Sequence, residues 1–70
     1  MANMLRIDIE REEDGRWVGE VPALPGVLAY GQTETEARKR TEALAHRVIA
    51  DRIDHGETLP TEVRELFATA

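Results

Sequence analysis

Few side chains of this sequence could hold a catalytic metal ion. Asp8 lies in the middle of an alternating stretch, where a metal-dependent nuclease could carry the first of several carboxylates that bind Mg²⁺. No second and third carboxylate stands at an apolar strand or helix position to complete such a site. A solvent-facing Asp8 is therefore the favoured interpretation, and an Asp8-centred nuclease is the weaker alternative.

The other candidates for catalysis are two histidines and a threonine. His46 and His55 would be about 13 Å apart along one helix, too far to share a proton, and no thiolate is available to complete a metal site. Thr41 falls on an apolar face with no adjacent base. The sequence contains neither cysteine nor serine, the commonest nucleophiles. We expect a protein that is not an enzyme, with no catalytic residue, metal or cofactor.

The charged residues favour protein binding. The formal net charge is −5, whereas a phosphate-binding surface must be basic, so direct binding of nucleic acid is not expected. An acidic chain suits a basic protein partner. Glu10, Glu12, Glu13 and Asp14 form an acidic cluster that could meet such a partner, although an ordinary solvated turn is the favoured alternative for a run of this kind.

The size of the chain predicts association. Seventy residues make a single domain over residues 1–70 that buries only about 60% of its unfolded surface, so we expect a homodimer or higher homo-oligomer to add stability. Leu24 and Tyr30 are large residues beside turns and are candidate interface anchors, with closure of the core as the equal alternative. The sequence shows neither a leader nor a membrane-spanning run of about 20 apolar residues, so we expect a cytoplasmic protein.

The first half of the chain has the pattern of a β-meander. Residues 5–9 alternate between apolar and polar side chains, which is typical of a half-buried strand. A second strand is predicted over residues 16–21, with Trp17 on the apolar face, and a third over residues 27–30. Gly15 follows an aspartate between the first two strands, and this pair favours a tight hairpin reversal.

Prolines and a glycine determine the connection between the second and third predicted strands. Pro22 and Pro25 each lack an N–H group and disfavour helix before them, so strand pairing must stop near them. Gly26 can take the positive φ that turns the chain back. Further on, Thr33 and Glu36 form a capping box, in which Glu36 reaches back to the cap residue at the start of a helix.

The second half is predicted to be one long amphipathic helix over residues 35–54, ended by Gly56. Its apolar face comprises Ala37, Thr41, Leu44, Ala45, Val48, Ile49 and Ile53. The tail, residues 61–70, has two interpretations, and a fourth strand over residues 65–69 is favoured over a turn of helix. The predicted fold is α+β, a three-stranded antiparallel meander covered by one helix, with a fourth edge strand.

Two stretches of the sequence carry an ordered set of motifs. The first is Asp14-Gly15-Arg16-Trp17-Val18-Gly19-Glu20-Val21-Pro22-Ala23-Leu24-Pro25-Gly26-Val27. The second is Gly31-Gln32-Thr33-Glu34-Thr35-Glu36-Ala37. In order and spacing these stretches resemble the HicB antitoxin family, and the similarity extends to residues 56–60. Ala23 and Val27 replace residues that are often Asp and Cys in that family, changes that suit packing and carry no chemistry.

The resemblance implies a fold and a function. The fold is a partial RNase H-like β-β-β-α-β domain that binds and silences HicA, a small basic mRNA-cleaving toxin. Many members carry a further C-terminal DNA-binding domain, and since this chain ends at Ala70 we expect the short form without one. A stand-alone dimeric binding or regulatory module without a toxin is the alternative.

Overall fold

The computed structural model describes residues 5–65, which form three strands followed by two helices. The strands are β1 (Asp8–Arg11), β2 (Trp17–Glu20) and β3 (Leu28–Gly31), and the helices are α1 (Glu34–Asp54) and α2 (Thr61–Arg64). The sheet is antiparallel with the order β1-β2-β3. The α+β prediction of a meander followed by one long helix is confirmed.

Strand β1 begins later than the sequence predicts. Leu5 and Ile7 alternate in burial as expected, but pairing with β2 starts only at Asp8, which lies opposite Glu20. In this register the next hydrogen-bonded pair would place Pro22 opposite residue 6, and proline has no N–H to give. The predicted strand over residues 5–9 is therefore shifted to Asp8–Arg11.

Glycines and prolines shape both connections in the sheet. The hairpin between β1 and β2 is closed by the Glu12 N–H donating to the Arg16 carbonyl (2.7 Å), with Gly15 at φ +92°. The loop between β2 and β3 consists of two consecutive turns. Each turn has a proline at its second position, and Gly26, at φ +90°, occupies the third position of the later one. The positive φ predicted for Gly26 is confirmed.

Helix α1 is capped at both ends. The Thr33 hydroxyl accepts from the Glu36 N–H (3.0 Å), as predicted, but the Glu36 carboxylate accepts from Gln32 N–H (2.8 Å) and not from the cap residue itself. At the other end Gly56, at φ +68°, follows His55, and the Glu57 N–H donates to the Arg52 carbonyl (2.8 Å).

The core lies between the second half of α1, α2 and the loop between β2 and β3 (residues 21–27), which we call the proline loop. Its buried residues are Val21, Leu24, Val27, Ala45, Ile49 and Val63. Val63 is fully buried, so α2 packs onto the core. Ile53 was predicted on the buried face but is 53% exposed, because α1, at about 1.5 Å per residue, is more than twice as long as the four-residue strands it covers.

The predicted fourth strand is not seen in the described residues. Glu65 caps the C-terminus of α2 in helical conformation, and residues 66–70 lie outside the described residues. Neither helix of residues 5–65 is both long and apolar enough to cross a membrane.

Candidate partner-binding surface

One face of the sheet is not covered by α1. Because side chains alternate along a strand, the register brings Asp8, Glu20 and Leu28 into one row across the three strands. Glu10, Val18 and Tyr30 form the next row. A shallow depression of about 270 Å³ lies here, lined by Asp8, Glu10, Glu12, Val18, Glu20, Leu28 and Tyr30. We call these seven residues the acidic face.

The acidic face combines an apolar floor with carboxylates. Leu28 and Tyr30 are 39% and 38% exposed, and they lie next to the half-buried Val18 on the same face of the sheet. Asp8 is partly neutralised by Arg6, whose Nε lies 2.9 Å from the carboxylate. Glu10 and Glu20 form no ion pair with any residue of 5–65, so their charge is available to a partner.

The tyrosine of this face already binds a cation from its own chain. The Arg16 guanidinium lies 4.4 Å from the centre of the Tyr30 ring, within cation–π range. Asp14 holds that arginine in place, since its carboxylate accepts both from Arg16 Nε (2.7 Å) and from the Arg16 backbone N–H (3.0 Å). The backbone hydrogen bond, with help from the guanidinium, lowers the pKa of Asp14 below its ordinary value.

The structure divides the predicted binding residues into three groups. Glu10, Glu12 and Tyr30 lie together on the acidic face. Glu13 and Asp14 lie in the hairpin turn, next to that face and exposed. Leu24 is fully buried in the core. Leu24 was an interface candidate as well as a core candidate, and its burial corrects the interface assignment.

Four residues of the acidic face were not among the predicted binding residues. They are Asp8, Val18, Glu20 and Leu28. The sequence does contain a signal for them, the period-two alternation that places Asp8 and Glu20 opposite the apolar face. What the sequence lacks is the register that puts residues from three strands side by side.

The described residues offer one arrangement that could hold a cation. Ligand atoms of Asp51, His55 and Glu57 lie within 4.8 Å of one another at the C-terminal end of α1, and all three residues are exposed. His55 Nδ1 is hydrogen-bonded to the Asp51 carbonyl (2.7 Å) in the last turn of α1. This hydrogen bond is enough to account for the position of the imidazole ring. His46 is likewise bonded to the Glu42 carbonyl (2.8 Å), and the Thr41 hydroxyl donates to the Ala37 carbonyl (2.7 Å).

Within the described residues, the antiparallel sheet has one face covered by α1 and one exposed acidic face. The chain belongs to the UPF0150-like family, which matches residues 2–60. It is similar to the UPF0150 protein Ta0767 of Thermoplasma acidophilum, with 35% identity over 57 residues that cover 81% of this chain and 83% of that protein. No solved structure is significantly similar.

Proposed function

We propose that this protein is the antitoxin of a type II toxin–antitoxin pair and inhibits a small, basic, mRNA-cleaving ribonuclease similar to HicA. The observation that carries the proposal is the acidic face, on which the exposed Leu28 and Tyr30 of the edge strand β3 lie beside carboxylates of the other two strands. Membership of the UPF0150-like family is compatible with it, and the sequence motifs that resemble HicB antitoxins support it.

The charge of the acidic face supplies a mechanism of inhibition. A ribonuclease must present cations to the phosphates of its RNA substrate. Carboxylates such as Glu10 and Glu20, fixed on neighbouring strands, can bind those same cations and exclude the RNA. Charge attraction of this kind mainly raises the association rate, while burial of Leu28 and Tyr30 slows dissociation. The inhibitor acts stoichiometrically and carries out no reaction itself.

Two other functions are supported by fewer observations. A stand-alone dimeric or regulatory module would use the same exposed faces with a second copy or another protein as partner. A metal-dependent nuclease would need further carboxylates around Asp8, which instead pairs with Arg6 (2.9 Å). In the described residues Asp8 belongs to no group of potential metal ligands. The nuclease is the least supported of the three.

The experiment is a ribonuclease assay of the partner toxin with increasing amounts of this chain. The test variant combines Glu10→Lys, Glu12→Lys and Glu20→Lys on the acidic face. The control variant makes the same change in net charge elsewhere, at three exposed positions, with Glu42→Lys, Asp54→Lys and Glu57→Lys. We expect the wild type and the control to inhibit and the test variant to have lost inhibition. Equal inhibition by all three would overturn the role of the acidic face.

A further inference from the structure

A basic surface lies beside strand β3, on the side of the sheet that α1 covers. Ala29 of β3 faces this side, since its partner in the sheet, Gly19, contacts Thr41 of α1. The surface is a groove of about 460 Å³ lined by Ala29, Lys39, Arg40, Ala43, Leu44 and Arg47. We call these six residues the basic groove. The acidic face lies on the other side of the sheet, so the proposed function makes no use of the groove.

Two of the three cations in the basic groove are available to a ligand. The Arg40 guanidinium lies 3.5 Å from the Glu36 carboxylate and donates to the Tyr30 carbonyl (3.1 Å). Lys39 and Arg47 are exposed, and neither forms an ion pair with another residue of 5–65. A ligand that brings negative charge can therefore neutralise these two cations without breaking an existing contact.

The spacing of the two cations suits an extended ligand. Lys39 and Arg47 are eight residues apart in α1, which is about 12 Å along a helix. Ala29, Ala43 and the half-buried Leu44 form an apolar floor in the same groove. An extended chain rises about 3.3 Å per residue and points alternate side chains to one side, so side chains four residues apart lie about 13 Å apart on that side. The side chain midway between them faces the floor.

The charge of the rest of the chain favours a protein ligand over a nucleic acid. A nucleic acid carries its charges in a long row and requires many cations to replace its counterions, whereas this chain has a net charge of −5. The acidic face is only one sheet away, and the screening length at about 0.1 M salt is about 10 Å. A long polyanion would therefore be repelled. A short segment with two carboxylates neutralises the two cations without that repulsion.

We propose that the basic groove binds an extended acidic segment of a partner protein. In this segment two acidic residues four positions apart meet Lys39 and Arg47, and the apolar residue midway between them covers Ala43 and Leu44. Exposed ion pairs are individually weak, so selectivity comes from the matched spacing and from burial of the apolar side chain.

The position of the basic groove allows two partners to be held at once. Because the groove and the acidic face lie on opposite sides of the sheet, a basic toxin and an acidic partner do not compete. The chain then links the two proteins. This consequence alone rests on the proposed function, and binding of the acidic segment does not.

The probe is a synthetic, end-capped peptide with two glutamates four residues apart, a valine midway between them and threonines elsewhere. A second peptide of the same composition has its glutamates three residues apart, so that an extended chain points them to opposite sides. NMR of the isotope-labelled whole chain follows the binding of each. We expect the first peptide to shift the amide signals of Ala29 and residues 39–47, to leave those of Glu10 and Glu20 unchanged, and to bind roughly tenfold more tightly than the second.

Lys39 allows the position of the bound peptide to be identified chemically. It is the only lysine of the chain. A carbodiimide condenses a carboxylate with an amine to an amide and takes up the water that is lost, becoming a urea. It should therefore join a glutamate of the first peptide to Lys39 Nζ, and mass spectrometry distinguishes this bond from one to the N-terminal amine. Lys39→Arg keeps the positive charge, and should bind the peptide but form no adduct at residue 39.

Two variants with the same change in net charge test the role of the cations. The groove variant carries Lys39→Glu and Arg47→Glu, and the control variant carries Arg38→Glu and Arg64→Glu, outside the groove. All four positions are exposed, and circular dichroism checks that both variants fold. The groove variant should bind the first peptide about tenfold or more weakly than the wild type, and the control should bind it within about twofold.

Several results would overturn the proposal. They are a first peptide that leaves the groove signals unchanged, equal binding of the two peptides, and equal losses in the groove and control variants. A short RNA that shifts the groove signals when neither peptide does would show that the ligand is a nucleic acid and not a protein.

The groove variant also separates this proposal from the proposed function. It keeps the whole acidic face and should inhibit the toxin as well as the wild type does. A wild type that binds the peptide but leaves the toxin active would overturn the antitoxin function and leave the groove proposal intact. Peptide that is displaced by the toxin would overturn the simultaneous binding alone.

Discussion

Gly19 of β2 lies directly against the side chain of Thr41 of α1, and a Cβ atom at residue 19 would overlap with the threonine Oγ1. Gly31 of β3 has the same relationship to the backbone of Ala37. These two glycines allow the first half of α1 to lie close against the sheet, and the small residues at positions 37 and 41 are both fully buried in the contact.

Gly19→Ala should therefore destabilise the protein, by about 1–3 kcal/mol, because the added methyl overpacks a tight contact. The Thr41→Ala background should remove much of this loss, since the overlapping oxygen is gone. Urea denaturation of the wild type, the two single variants and the double variant gives the coupling between the two sites. An equal loss in both backgrounds would show that the contact is not the cause.

The Thr33 cap should contribute measurably to stability. Thr33→Ala removes the hydroxyl that accepts from the Glu36 N–H (3.0 Å) and should lower the free energy of unfolding by about 1 kcal/mol. Thr35→Ala, at the exposed second residue of the same helix, is the matched control and should change stability little. Similar losses in the two variants would mean that the cap hydrogen bond adds nothing.

The Asp14 carboxyl should titrate below its ordinary pKa of 3.8, because the Arg16 backbone N–H and guanidinium bind its ionised form. A carboxyl with a lower pKa in the folded state stabilises the fold above the unfolded pKa, and this contribution disappears as the pH falls through the folded value. The wild type should therefore have a higher free energy of unfolding than Asp14→Asn at pH 5. This difference should vanish at acid pH below 3.8. NMR titration of the carboxyl reads the pKa directly, and an ordinary value would contradict the prediction.

Tyr30 should be an anchor of the partner interface. Tyr30→Ala removes the exposed ring and is expected to weaken toxin binding by about 2 kcal/mol or more, roughly thirtyfold, chiefly through faster dissociation. Glu20→Gln, in the same depression, should instead slow association and reduce its salt dependence. Surface plasmon resonance separates the two rates. Unchanged dissociation in Tyr30→Ala would remove the ring from the interface.

Most of the fold could be predicted from the sequence because its signals are local. The proline loop, the cap at Thr33 and the end at Gly56 each depend on a few adjacent residues. The errors came from contacts between distant segments. Pro22 shortens β1 only because the register places it opposite residue 6. Ile53 is exposed because α1 extends beyond the end of the sheet.

The candidate site was harder to predict for the same reason. Glu10, Glu12 and Tyr30 were recognised individually, but Glu20 and Leu28 join them only through cross-strand register. Leu24 lies between two prolines and is large enough for an anchor, yet the two turns fold it into the core. Lys39, Arg40 and Arg47 line a groove beside β3 that could not be predicted, since nothing in the helix sequence shows that its neighbour is an open strand edge.

The central claim is tested most directly by recovering the tagged chain from an extract of its native cells at low and at high salt. We predict that a small basic ribonuclease co-elutes at low salt, is partly lost at high salt, and loses its RNA-cleaving activity at one antitoxin chain per toxin. Recovery of this chain with itself alone, or of a ribonuclease that stays fully active with excess chain, would contradict the antitoxin function.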